Sequence, residues 1–310
     1  MLKILVLGSG AGGGSPQWNC NSDVSKAVRN GEPGTSPRTQ SSIVVTANED
    51  EWFLFNASPD LGSQILKNKQ MHPQKNPRHS PISGVVLTNG DVDHVAGLLT
   101  LRERQNLSIY AHERVHSVLK ENSIFNVLNP DYVDRRKLNM NEEFELMNKD
   151  NKGVGLLVEA FAVPGKIALW LEDESKGENF GSDDGDTIGL KITSKVDDKS
   201  FYYIPACARM TNELSTRLSG SEMVLFDGTL WENEEMASSK VGEKTGQRMG
   251  HMNNSGPDGS VEAFKKIDVK RKIFIHINTT NPILLGKSKE RNFVEENGWE
   301  VSYDGMEVIL

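Results

Sequence analysis

The amino-acid sequence predicts an α/β protein built in layers, with helices packed against sheets. Two observations carry this reading. Short apolar runs recur along the whole chain, most of them closed by Gly, Asn, Asp or Pro. Amphipathic stretches of helical period lie between some of these runs without strict alternation, which disfavours a singly wound dinucleotide fold. In chain order, strands are predicted at KILVLG from Lys3, SSIVVTA from Ser41, WFLFNA from Trp52, GVVLT from Gly84 and LSIYA from Leu107. They continue at VGLLVEAFAV from Val154, IALWLE from Ile167, IGLKITS from Ile188 and SFYYIPA from Ser200. The last are MVLFDG from Met223, KIFIHI from Lys272 and WEVSYDG from Trp299. Helices are predicted at VAGLLTLRERQ from Val95, ERVHSVLKEN from Glu113, SVEAFKKID from Ser260 and KERNFVEENG from Lys289. Residues 20–38 are rich in turn formers and read as a loop, and the acidic residues 172–187 read as a solvated excursion. Without a repeat, a low-complexity tract or a linker, residues 1–310 are expected to form a single domain.

Composition narrows the function. An apolar share of 36% in 310 residues is enough for a substantial core. A net charge of −8, with no block of Lys and Arg, argues against nucleic acid as a partner. The apolar start of MLKILVLGSG is shorter than an export signal and runs into a Gly-rich turn, so it reads as a first strand. No segment is long and apolar enough for a membrane span. Two cysteines, Cys20 and Cys207, make no disulfide framework, so a cytoplasmic location is expected.

Two motifs are weaker than they look. GSGAGG at 8–13 has dinucleotide-loop spacing but opens no helix, and a tight Gly loop at a pocket rim is expected instead. HERVH at 112–116 matches the zincin pattern, yet Arg114 lies inside it and the helix is short and amphipathic, which points to a surface helix. A third motif, LTNGDVDHVAGL at 87–98, crowds Asn89, Asp91, Asp93 and His94 into the turn after a strand. Distant segments can complete it, because His276 ends KIFIHI and His251 lies in MGHMNNSG. Alternation in that strand puts Ile273, Ile275 and Ile277 on one face and Phe274, His276 and Asn278 on the other. Two His and one carboxylate are the set that binds Fe(II) and leaves positions open.

LTNGDVDHVAGL resembles the H-x-H-x-D-H segment of the metallo-β-lactamase superfamily, with Asn89 and Asp91 in place of the two early His. LGSGAGGGSPQWNCN, RTQSSI, FNASPD, VPGK, FDGTLW, MGHM, HINTTNPIL and YDGMEV together resemble one branch of it. That branch is the B-protein family of pyrroloquinoline quinone (PQQ) biosynthesis, matched from Lys3 to Ile309 but poorly over residues 140–187. The resemblance implies a four-layer αββα sandwich with the site at one edge of its sheets. It also implies hydroxylation of the tyrosine ring of a small Glu-Tyr-type peptide precursor of PQQ, using one Fe(II) per chain, O2 and a reductant. A homodimer stays open.

The resemblance assigns Asp93, His94 and His276 as metal ligands, with His251 as fourth ligand or proton donor. It makes His251 and Asp91 the acid/base candidates. Asn89, Asp91 and Lys166 stand where two-metal relatives have His, so half of a two-metal site is expected to be given up. Asn89 and Lys166, with Arg38, Trp18 and Gln17, are expected to meet substrate, and Asp227 to orient a ligand His. The family's first loop commonly carries three thiols suited to a structural zinc. Here the positions are Cys20, Ser22 and Ser25, so that zinc is expected to be absent or weakly held. Two rivals remain at this point: a zinc-dependent hydrolase, and a carrier moving PQQ or its precursor toward the periplasm.

Overall fold

A computed structural model describes residues 1–176 and 181–310, and among these fourteen strands form two seven-stranded sheets. In sheet order, the first holds β14 (Glu307–Ile309), β1 (Lys3–Gly8), β2 (Ser42–Thr46), β3 (Trp52–Phe55), β4 (Ile82–Val86), β5 (Leu107–Ala111) and β6 (Val133–Lys137). The second holds β13 (Trp299–Val301), β12 (Val269–Ile275), β11 (Ser221–Asp227), β10 (Ser200–Ile204), β9 (Ile188–Ser194), β8 (Gly153–Ala162) and β7 (Glu143–Met147). Each sheet is antiparallel in one half and parallel in the other: β3 to β6 run parallel in the first, β10 to β13 in the second.

The period-two alternation of the strands builds the layers. Ile4, Val6, Ile43 and Val45 point between the sheets, where they meet Leu190, Ile192, Leu225, Ile273 and Ile275. The intervening Leu5, Leu7 and Val44 point outward and pack under Leu61, Leu98, Val115 and Leu119. On the far side, Val224, Phe226 and Phe274 face Leu214, Val261, Phe264 and Val294. Helices thus cover both outer faces, and the molecule is the four-layer αββα sandwich of the metallo-β-lactamase fold.

Four local expectations need correcting. Residues 20–38 are not all loop: Ser22 caps a helix at Asp23–Arg29 by accepting from Ser25 N, and that helix buries Val24, Ala27 and Val28. IALWLE is no strand but carries a 3-10 turn, Leu169–Leu171, which lies over the site. The stretch 172–187 is not simply a solvated excursion: Asp186 is buried against Arg114, and Glu172 is held by basic side chains. Residues 177–180 of it lie outside the described residues. Finally, alternation in KIFIHI stops at His276, whose φ of 59° is left-handed, so Ile277 joins Phe274 in the outer cluster rather than Ile273 and Ile275.

The strand ends place the site. Turns after β4, β11 and β12 converge at one edge of the sandwich, outside the carboxyl ends of parallel strands. The Gly-rich turn after β1 crosses to the other sheet, with Ala11 N donating to Ile277 O and Ile277 N to Ser9 O. Asp304 anchors that turn by accepting from the backbone N–H and hydroxyl of both Ser9 and Thr39. No helix among the described residues is long and apolar enough to cross a membrane.

Candidate metal centre

Asp93, His94 and His276 each offer a ligand atom, and these atoms lie within 4.8 Å of one another. His94 follows the tight turn after β4 and is fully buried. Its Nδ1 donates to Asn89 Oδ1 at 2.6 Å, which fixes the tautomer and leaves Nε2 as acceptor. That Nε2 is buried with no hydrogen-bond partner. A buried ring nitrogen aimed at a carboxylate and a second imidazole, itself without a donor, fits a metal ligand.

His276 reaches the same point from the end of β12. A left-handed backbone costs a non-glycine residue about 1–2 kcal/mol, and here it turns the imidazole into the cavity. Nδ1 donates to Thr229 Oγ1 at 2.8 Å, while Nε2 lies 3.0 Å from Asp93 Oδ2. The His94 and His276 rings meet edge to face at 5.3 Å. Burial pushes His94 down to about 4 against the pull of Asp93. Burial opposes ionisation of Asp93 as well, yet His94 and the hydrogen bond from His276 outweigh it and hold the carboxyl well below its usual range. With Nδ1 given to Thr229, His276 bonds Asp93 from Nε2 as an imidazolium, which burial opposes but the Asp93 carboxylate favours more strongly. A divalent cation in place of that proton would meet one anionic oxygen and two imidazole nitrogens.

His251 completes the wall. Gly250, at a φ of 84°, turns the chain into it, and its ring stacks on His276 at 5.1 Å. Nδ1 donates to Asp227 Oδ2 at 2.7 Å, which leaves Nε2 as the open ring nitrogen. Asp227, buried at the end of β11, also accepts from Cys207 N, Thr229 N and the Thr229 hydroxyl. It therefore fixes His251 directly and His276 through Thr229. Thr229 was missed in FDGTLW because a hydroxyl two residues after a strand-ending Asp reads as a turn residue.

The candidate ligands open on a cavity of roughly 330 Å³, walled also by Ala11, Gly12, Gln17, Lys166, Lys244 and Met249. Asn89 and Asp91 are on this wall, and Asn89 Oδ1 accepts from His94 and from Asp91 N, so its oxygen orients the His94 imidazole. Asp91 accepts from Leu169 N at 3.1 Å, and burial together with the Asp93 charge raises its carboxyl. Lys166 is in place, paired with Glu172 at 3.1 Å. Gln17 lines the cavity, whereas Arg38 and Trp18 are placed elsewhere. Arg38 is buried, donates to Ser302 O and lies under the Tyr303 ring, and burial lowers its guanidinium to about 10. Trp18 is 87% exposed.

Other signals fall outside the site. His112 precedes the helix Glu113–Glu121 without a capping hydrogen bond from its side chain and His116 donates to Arg136 O, so HERVH assembles nothing with the metal set. In the first loop, Cys20 Sγ lies 3.3 Å from Ser22 Oγ, and Ser25 Oγ bonds Thr279 Oγ1 at 2.7 Å. Hydrogen bonds thus tie Cys20, Ser22 and Ser25 in place. Glu235, also unnoticed in the sequence, lines a separate cleft with Trp231 and Thr280 and is pushed up to about 7 by burial, against hydrogen bonds from Thr280 and Trp231 N.

Fold and site define a class first: a family model described as beta-lactamase superfamily domain matches residues 51–277. Within that class, the chain is 49% identical over 311 aligned residues, covering 100% of both proteins, to coenzyme PQQ synthesis protein B of Rhodopseudomonas palustris (strain BisB5). It is 46% identical, over 100% of both, to the protein of that name from Xanthomonas oryzae pv. oryzae (strain MAFF 311018). A crystal structure of Zn(2+)-bound PqqB from Methylobacterium extorquens superposes with a TM-score of 0.93 at 45% identity, over 99% of this chain and 100% of that one. A diphosphatase of the PhnP family, at 19% identity and a TM-score of 0.70, shares the fold. The chain belongs to the coenzyme PQQ synthesis protein B family.

Proposed function

We propose that the protein acts in PQQ biosynthesis as a mononuclear iron oxygenase that hydroxylates the tyrosine ring of a small Glu-Tyr-type peptide. One observation carries the reading. The Asp93, His94 and His276 set faces the cavity and shares His276 with the one other such group among the described residues, Asp227, His251 and His276, while the positions that would hold a second ion are Asn89, bonded to His94, and the ammonium of Lys166. Bound Fe(II) supplies redox capacity and open positions for dioxygen, which a hydrolytic two-ion clamp does not need. His251, held by Asp227, presents Nε2 for a fourth ligand bond or for the ring proton. Asp91 stands on the same wall as a second proton acceptor. The apolar side chains of Leu169, Met236 and Met249 give an aromatic ring a surface to lie against.

Mass spectrometry of Glu-Tyr incubated with the Fe(II)-loaded protein and a reductant tests this. The expected result is a gain of one or two oxygen atoms in air and none without O2. An unchanged peptide with iron demonstrably bound contradicts the proposal. The Zn(2+)-bound relative supports a second reading, a zinc-dependent hydrolase. Cleavage of esters or amides without O2 would favour it, and stoichiometric binding of PQQ without turnover would favour a carrier.

A further inference from the structure

The cavity that holds the metal set also carries cations that the chain itself does not fully use. Glu172 receives Arg248 Nη2 at 2.7 Å on one oxygen and Lys166 Nζ at 3.1 Å on the other, so both of its oxygens already have a donor. Lys166 keeps two N–H groups beyond that bond. Lys244 stops 3.9 Å from Glu172 and makes no hydrogen bond among the described residues. Both lysines line the cavity, beside Leu169, Met236 and Met249. Lys244 is thus an ion-pair neighbour of Glu172 whose N–H groups are left for another acceptor.

The charges agree. Setting Glu172 against Arg248, the cavity wall carries, among the described residues, two carboxylates, Asp91 and Asp93, and two ammonium groups, Lys166 and Lys244. A divalent ion at the metal set leaves this space positive. An excess of positive charge in a partly enclosed space favours an anionic guest.

We propose that Lys166 and Lys244 form a seat for a carboxylate carried next to the aromatic ring of the substrate, so that the cavity selects acidic aromatic peptides over their neutral analogues. The proposal takes the location of the substrate from the function proposed above but does not depend on the oxygen chemistry.

The test is equilibrium binding to the zinc-loaded protein, where no oxygenation occurs. N-acetyl-Glu-Tyr-amide is compared with N-acetyl-Gln-Tyr-amide, which differ by one carboxylate. The expected preference for the acidic peptide is about tenfold or more, the size of a charge-assisted hydrogen bond. Lys166→Gln and Lys244→Gln should each reduce it, and the pair should abolish it. Lys244 is the more exposed of the two, at 43% against 18%, so its variant is the one least able to disturb the fold. Glu172→Gln should keep or strengthen the preference, whereas a purely structural network would lose binding of both peptides alike. Equal affinity for the two peptides in wild type overturns the proposal. So does a preference that survives the double variant, or no measurable binding of the acidic peptide. Since iron and O2 are absent, failure of the oxygenase assay leaves this result standing, and the reverse also holds.

Discussion

His94→Ala is expected to weaken metal binding by more than about 100-fold and to remove O2-dependent turnover. Loss of a supporting residue around a metal typically costs 10–100-fold, and loss of a ligand exceeds it. The reason lies in the donor set. Asp93 and His276 remain 3.0 Å apart in the variant and can still share a proton, but they leave a two-ligand site. Asn89 Oδ1 loses its imidazole donor and keeps only Asp91 N. Competition with a chromophoric chelator measures the affinity, and thermal unfolding without metal checks that the fold survives. An unchanged affinity would mean that the ion binds elsewhere, for example among Asp227, His251 and His276, the other group of potential ligands.

Asp227→Asn is expected to lower kcat by roughly 10–100-fold, the usual cost of losing a partner that orients a metal-site histidine. The carboxylate accepts from Cys207 N and His251 Nδ1 on Oδ2, and from Thr229 N and Oγ1 on Oδ1. An amide can present only one oxygen, so its NH2 must face two donors on one side. If that side is Oδ2, His251 loses the acceptor that fixes its tautomer; if it is Oδ1, Thr229 loses its own, and with it the brace on His276. Rates and metal content measured together separate the cases. Reduced kcat with iron retained places the effect on His251, while loss of iron places it on His276.

The layered sheets and most residues of the candidate metal set were legible in the sequence because each depends on a local pattern. Alternation in KILVLG and SSIVVTA gives two apolar faces, and both are buried. Asp93, His94, His251 and His276 stand at strand ends or in turns, where polar residues have few other uses. The edge strands β6 and β7 were not legible, since VDRRK and EFELM are half polar and carry the charges that protect an edge. The break at His276 was hidden because a left-handed backbone leaves no mark on a non-glycine residue. The second role of Asn89 was hidden for a different reason: only the turn geometry shows its side chain bonded to His94, five residues on. Glu172 lay in an acidic run that reads as solvated, and its partners Lys166, Lys244 and Arg248 come from two other segments of the chain.

The most direct measurement is the number of metal ions bound per chain under anaerobic titration with Fe(II). The site as built predicts saturation at one equivalent, with no second ion of comparable affinity, because Asn89 is committed to His94 and Lys166 holds a cation's place. Two equivalents bound with similar affinity would contradict this account and would return the protein to the two-ion hydrolases of its superfamily.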